Sequence, residues 1–184
     1  MKTTARLFVI LSALSALSAL SAPSALSTGA QAQAPTTQPP LPAVDVKAAD
    51  IKAFINNLPK NAISDLPIRV ADVGGYRVGV FGVFRPKTVK QDAILHETTT
   101  TEVYYMLEGA GTLVTGGTLA DQRREPATST NVRGSRIDGG VSRRVTPGDV
   151  VIIPGRTPHW WSDLEGDIKY LIVRPDPSGR LPLK

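Results

Sequence analysis

The 184-residue chain contains no cysteine. Disulfide bridges and thiolate ligands are therefore excluded, and any metal site must be built from imidazole, carboxylate or neutral oxygen. Histidine is nearly absent too: His96 and His159 are the only two. Imidazole is the commonest metal ligand and titrates near physiological pH, so chemistry is to be sought where these two residues meet. Nor does either sign of charge dominate. The formal net charge is +5, and no basic run is interleaved with aromatic residues. That pattern gives no support for a nucleic-acid partner.

Long apolar runs are also missing. The one candidate stretches from Leu7 to Leu20 and is interrupted by serines, with Pro23 just beyond. It is too short and too broken for a retained membrane anchor. Lys2 and Arg6 precede it, and Ala30-Gln31-Ala32 follows with small-x-small spacing. The expected assignment is a secretory signal peptide over residues 1–32, cut after Ala32, which directs the protein to the periplasm or the medium. With no cysteine near the cut, lipid attachment there is excluded, and no stable membrane anchor remains after cleavage. Cleavage removes two basic residues and no acid, so the positive excess falls further.

Residues 33–45 read as a linker, with Pro35, Pro39, Pro40 and Pro42 favouring extended, solvated backbone. A single domain is expected over 46–184. Within it, the only strong helical periodicity spans 46–58, where Ala48, Ile51, Phe54, Ile55 and Leu58 recur on one face before Pro59. Beyond Leu66 the pattern is all strand. Candidates are 68–73, 76–84, 93–96, 102–107, 111–114, 143–146, 149–153, 159–162 and 168–173, each short, β-branched and bounded by Gly, Pro or Asp. This spacing predicts an all-β sandwich or barrel, with a core over about 66–175 large enough to enclose one small ligand. Residues 118–142 are polar and carry Arg123, Arg124, Arg133 and Arg136. They are expected to form a solvated surface insertion; the functional alternative is a lid that supplies arginine to an anionic substrate.

In a strand every second side chain shares a face. His96, Thr98, Thr100 and Glu102 share parity, followed by Tyr104 and Met106; in the second segment His159 and Trp161 do. Facing inward, His96, Glu102 and His159 would form a two-imidazole, one-carboxylate set with open positions for water, substrate or oxygen. That donor set suits Fe(II), Mn, Ni or Zn. Tyr104 is the candidate general acid or base beside it. Thr98 and Trp161 are the candidate substrate-pocket residues. Tyr105 and Trp160 have outward parity and are expected under the helix or in a homodimer interface.

The two segments resemble the paired motifs of the cupin superfamily. In the first, His96, Glu102 and the closing Gly109 stand at that family's places; in the second, Gly148, Pro154 and His159 do. The resemblance implies a double-stranded β-helix (jelly-roll) barrel with one short N-terminal helix, and a divalent metal on His96, Glu102 and His159. Four positions depart from the pattern. Thr98 occupies the place of the second histidine, Lys90 that of the opening glycine, and Asp163 that of the final asparagine. Gly155 comes one position early. Glu97 could stand in for the missing ligand only through a one-residue backbone twist.

The expected function is that of a metal-dependent enzyme acting on a small organic molecule outside the cytoplasm, with dioxygenase-type chemistry as the leading expectation. A metal-dependent lyase or isomerase is the first alternative. A non-catalytic small-ligand binding module, favoured by Thr98, is the second.

Overall fold

The computed structural model describes residues 39–184; the signal-peptide assignment and residues 33–38 of the linker lie outside them. Residues 39–45 are exposed and irregular. Among the described residues one helix, α1 (Ala48–Asn56), precedes twelve strands. The first six are β1 (Ser64–Asp72), β2 (Arg77–Arg85), β3 (Ala93–His96), β4 (Glu102–Glu108), β5 (Gly111–Thr115) and β6 (Thr118–Ala120). The others are β7 (Asn131–Gly134), β8 (Arg136–Asp138), β9 (Val141–Val145), β10 (Val150–Ile153), β11 (His159–Leu164) and β12 (Ile168–Asp176). Among the described residues, no helix is long and apolar enough to cross a membrane.

Two five-stranded antiparallel sheets face each other, in the orders β1-β2-β12-β4-β10 and β7-β3-β11-β5-β9. The chain crosses between them at almost every step: β3, β4 and β5 alternate sheets, and so do β9, β10, β11 and β12. This alternation makes the fold a double-stranded β-helix of jelly-roll type. The inner faces follow the two-residue period. Tyr104 and Met106 of β4 meet Trp161, Leu113 and Tyr170 in a buried core between the sheets.

Against the first sheet, Ile51, Phe54, Ile55 and Leu58 of the helical region pack on Phe84, Leu107 and Leu171. Tyr105 lies beside this helix and stays 44% exposed. Residues 118–142 are built into the other sheet, which corrects the expectation of a solvated insertion. They form its edge strand β7 and a two-stranded ribbon of β6 and β8 beside it, and their Leu119, Val132 and Ile137 are buried against Leu95 and Trp160. Trp160 therefore lies under this excursion and not under the helix. Single apolar residues in strands of three or four residues are too short a run to register as a two-residue period.

Two glycines and one arginine explain how the motif turns close. Gly109 has φ +77°, and a Cβ there would lie 2.2 Å from the Asp167 carbonyl oxygen. At Gly155 a Cβ would come within 2.7 Å of three backbone atoms of Thr99, so only glycine lets the 154–158 turn press onto the segment between His96 and Glu102. The left-handed position in this turn belongs to the next residue, Arg156, with φ 62°. That is where the resemblance would place a glycine. Because the left-handed conformation costs an L-residue about 1 kcal/mol, Arg156→Gly is expected to raise stability by up to roughly 1 kcal/mol. A higher urea midpoint would show it; an unchanged or lower midpoint would contradict it.

Candidate metal centre

His96 ends β3 and His159 opens β11, two strands that are neighbours in one sheet, with His159 paired to Ile94. Glu102 opens β4 in the facing sheet. The three side chains meet between the sheets. His96 Nε2 lies 3.8 Å from Glu102 Oε1, and His159 Nε2 lies 3.4 Å from Glu102 Oε2. The imidazole centroids are 5.3 Å apart. One donor atom from each residue falls within 4.8 Å of the others, so this group could hold a metal ion.

The remaining ring nitrogens fix both imidazoles. His96 Nδ1–H donates to Asn131 Oδ1 at 2.7 Å, and His159 Nδ1–H donates to the Thr157 carbonyl at 3.0 Å. Both acceptors demand the Nδ1 proton, so Nε2 is the nitrogen that each ring turns towards Glu102 and, in the neutral form, the one that carries the lone pair. Protein donors about 2.0–2.2 Å from a shared ion lie roughly 3.0–3.5 Å from one another. The two imidazole–carboxylate separations, 3.4 and 3.8 Å, lie near this range and all three donors fall within 4.8 Å, so the group could close onto a divalent ion with a small adjustment.

The charges around Glu102 support the same state. Arg174 Nε donates to its Oε1 at 2.7 Å, and the Tyr104 hydroxyl donates to its Oε2 at 3.1 Å. Arg174 is in turn gripped by both oxygens of Asp65 and stacks over the Phe81 ring at 4.3 Å. Burial alone would raise the Glu102 pKa, but Arg174 and the two imidazoles outweigh it and hold the carboxyl at about 2. Burial pushes His159 down to about 4, against the pull of Glu102, so its imidazole is neutral. The Tyr104 phenol is driven well above its usual range by burial and then by the Glu102 charge. Tyr104 thus holds its proton and donates it in a hydrogen bond to Glu102.

The structure brings some sequence candidates together and separates others. Thr98 and Thr100 line a cavity of about 290 Å³ with His96, Glu102 and Arg174. A second space of about 400 Å³ adjoins it and is walled by His159, Tyr104 and Arg85. Trp161 is elsewhere: it faces inward as expected but packs in the core, 5.8 Å from the Tyr170 ring, and lines neither space. Two residues along a strand is roughly 6.6 Å, and that step takes Trp161 from the level of His159 down into packed core. Glu97 points outward to Arg124, with both oxygens at 2.7 Å, and does not stand in for the missing histidine.

Asn131, Arg174 and Asp65 were not legible as site residues. Asn131 lies in the segment read as a loop, where β7 pairs it directly with His96. Arg174 continues the inward parity of Tyr170 and Ile172, one residue past the expected strand end; extending that parity was the available signal. Removing the Asn131 side chain frees one imidazole, so Asn131→Ala is expected to weaken zinc binding by about 10–100-fold. Competition with a chromogenic chelator would read it, and unchanged affinity would show that the hydrogen bond does not orient the ligand.

Acid should dissolve the centre. The folded-state pKa of His159, about 4, lies below its ordinary 6.5, so the unfolded chain takes up this proton first. The stabilising contribution is complete above pH 6.5 and is lost as pH falls towards 4. Glu102, at about 2 against 4.5, adds a further loss below pH 4.5. Zinc requires the neutral imidazole, and in the folded chain His159 takes up its proton only near pH 4, so proton-driven release is expected at about pH 4 and below. Zinc lost near pH 6 from protein that is still folded would contradict this.

The sequence matches no protein-family model and no curated protein. Among solved structures it is similar to a Klebsiella pneumoniae protein described as having a double-stranded beta-helix domain. Identity is 13% and the TM-score 0.43, over 72% of this chain and 92% of that one. It is also similar to BH2720 from Bacillus halodurans, at 14% identity and TM-score 0.45, over 77% and 86%. A third likeness is to an RmlC-like cupin family protein from Methanocaldococcus jannaschii, at 13% identity and TM-score 0.36, over 66% and 89%. The fold assignment itself rests on the alternation of strands between the two sheets.

Proposed function

We propose that this chain is an exported metal-dependent enzyme of cupin type that acts on a small organic molecule, with oxygen-dependent, dioxygenase-type chemistry as the primary reading. The observation that carries it is the His96–Glu102–His159 set: two imidazoles presenting Nε2 and one ionised carboxylate, beside a ligand-sized space. When bound, a divalent ion (Fe(II), Mn, Ni or Zn) supplies Lewis acidity or, for the redox-active ones, an oxygen-activating centre. His96 and His159 are held in one tautomer by Asn131 and Thr157. Arg174 fixes Glu102. A substrate offering two adjacent oxygens suits a centre with open positions. The Lys2–Arg6, Leu7–Leu20 and Ala30–Ala32 pattern supports export.

One observation favours a lyase or isomerase as the second reading. Tyr104 keeps its proton at the cavity wall, 3.1 Å from Glu102, where it can serve as a general acid. Oxygen uptake by the Fe(II)-loaded protein separates the readings, using small molecules that carry adjacent oxygens. Uptake that is substrate-dependent and lost in His159→Ala supports the first. Turnover without oxygen supports the second, and binding without turnover would make the protein a ligand-binding module.

A further inference from the structure

Arg85 ends β2 inside the wall of the larger space. Its Nε donates to the Tyr170 hydroxyl at 2.7 Å and its Nη1 to Gln91 Oε1 at 2.9 Å. Both acceptors are neutral. The carboxylates nearest the cavity, Asp65 and Glu102, are already taken by Arg174. Among the described residues, no carboxylate pairs with Arg85, although a half-buried guanidinium without a counter-charge is costly. Arg133 faces the same space from β7, two residues beyond Asn131 and opposite Ile94. Arg133 is exposed and makes no ion pair among the described residues. Its neighbours on the excursion do: Arg123 pairs with Asp92, Arg124 with Glu97 and Arg136 with Asp138.

Two guanidinium groups, one half-buried against neutral acceptors and one exposed, therefore line a space that both histidines also line. We propose that Arg85 and Arg133 form a carboxylate-binding subsite, so that the ligand is a small organic acid with its carboxylate on these arginines and an oxygen donor directed at His96, Glu102 and His159. The planar guanidinium forks suit a carboxylate in bidentate contact. The placement of the oxygen donor rests on the metal reading; the subsite itself does not.

The test is calorimetric titration of the full chain, zinc-loaded and metal-free, with malonate, succinate and glutarate and with the diols of matching length. At least one dicarboxylate should bind the zinc-loaded wild type tenfold or more tightly than its diol. Arg85→Gln and Arg133→Gln should each lose tenfold or more of that affinity while retaining wild-type zinc content. Equal binding of acids and diols, or undiminished acid binding by the folded variants, would overturn the proposal. If Arg85→Gln does not fold, Arg133→Gln decides: wild-type affinity there overturns it. Arginine-dependent binding to a chain that takes up no zinc would uphold the subsite and remove the metal reading alone.

Discussion

Glu102→Ala is expected to lose its metal affinity and about 3 kcal/mol of stability together. The carboxylate is 5% exposed and accepts hydrogen bonds from Arg174 and Tyr104 while facing both imidazoles. Alanine leaves the Arg174 Nε and the Tyr104 hydroxyl without this acceptor in a buried setting, and breaking one side of a buried pair costs roughly 3–5 kcal/mol. The lower end applies because Asp65 still holds Arg174 through two bonds. Urea unfolding of the metal-free protein reads the stability loss, and zinc competition reads the affinity. A variant that unfolds like wild type would mean that the Glu102–Arg174 contact is not a stabilising one. A variant that keeps zinc would remove Glu102 from the ligand set.

Arg174→Met tests the same contact from the other side and should behave differently. The metal-free variant leaves Glu102 ionised with only the Tyr104 donor, and Asp65 without its partner, so a loss of about 3–5 kcal/mol is expected. A divalent cation can replace the missing positive charge, because the donor atoms of His96, Glu102 and His159 are untouched. Zinc should therefore restore more stability to the variant than it adds to wild type, where a hundredfold excess over Kd contributes about 2.7 kcal/mol. Thermal unfolding with and without zinc decides this. If zinc rescues the variant no better than wild type, Arg174 is a structural residue with no electrostatic link to the metal position.

The candidate metal corner was legible because it is local. Two histidines in 184 residues, one glutamate of matching parity and the turn residues Gly109 and Pro154 all lie within two short segments. The strands that present them are long enough to show alternation. The groups surrounding the corner were not legible, because they come from distant parts of the chain. Arg174 reaches Glu102 across 72 positions and Asn131 reaches His96 across 35. Asn131-Val132-Arg133-Gly134 hides a two-residue period within four residues, so an edge strand that sets Asn131 against His96 resembled a solvated loop. Trp161 shows the converse limit. Its inward parity was correct, but parity gives the face of a strand and not the depth along the barrel. At Arg156 the resemblance suggested a displaced glycine, whereas the structure shows two separate demands: close approach at Gly155 and a left-handed backbone at Arg156.

The central claim is that His96, Glu102 and His159 hold one divalent ion. Metal content per chain tests it most directly, in full-length protein purified without chelator or affinity-tag metal and dialysed against limiting zinc, with His159→Ala treated identically. The expected result is about one ion per wild-type chain and almost none in the variant. Equal metal content in the two proteins would contradict it.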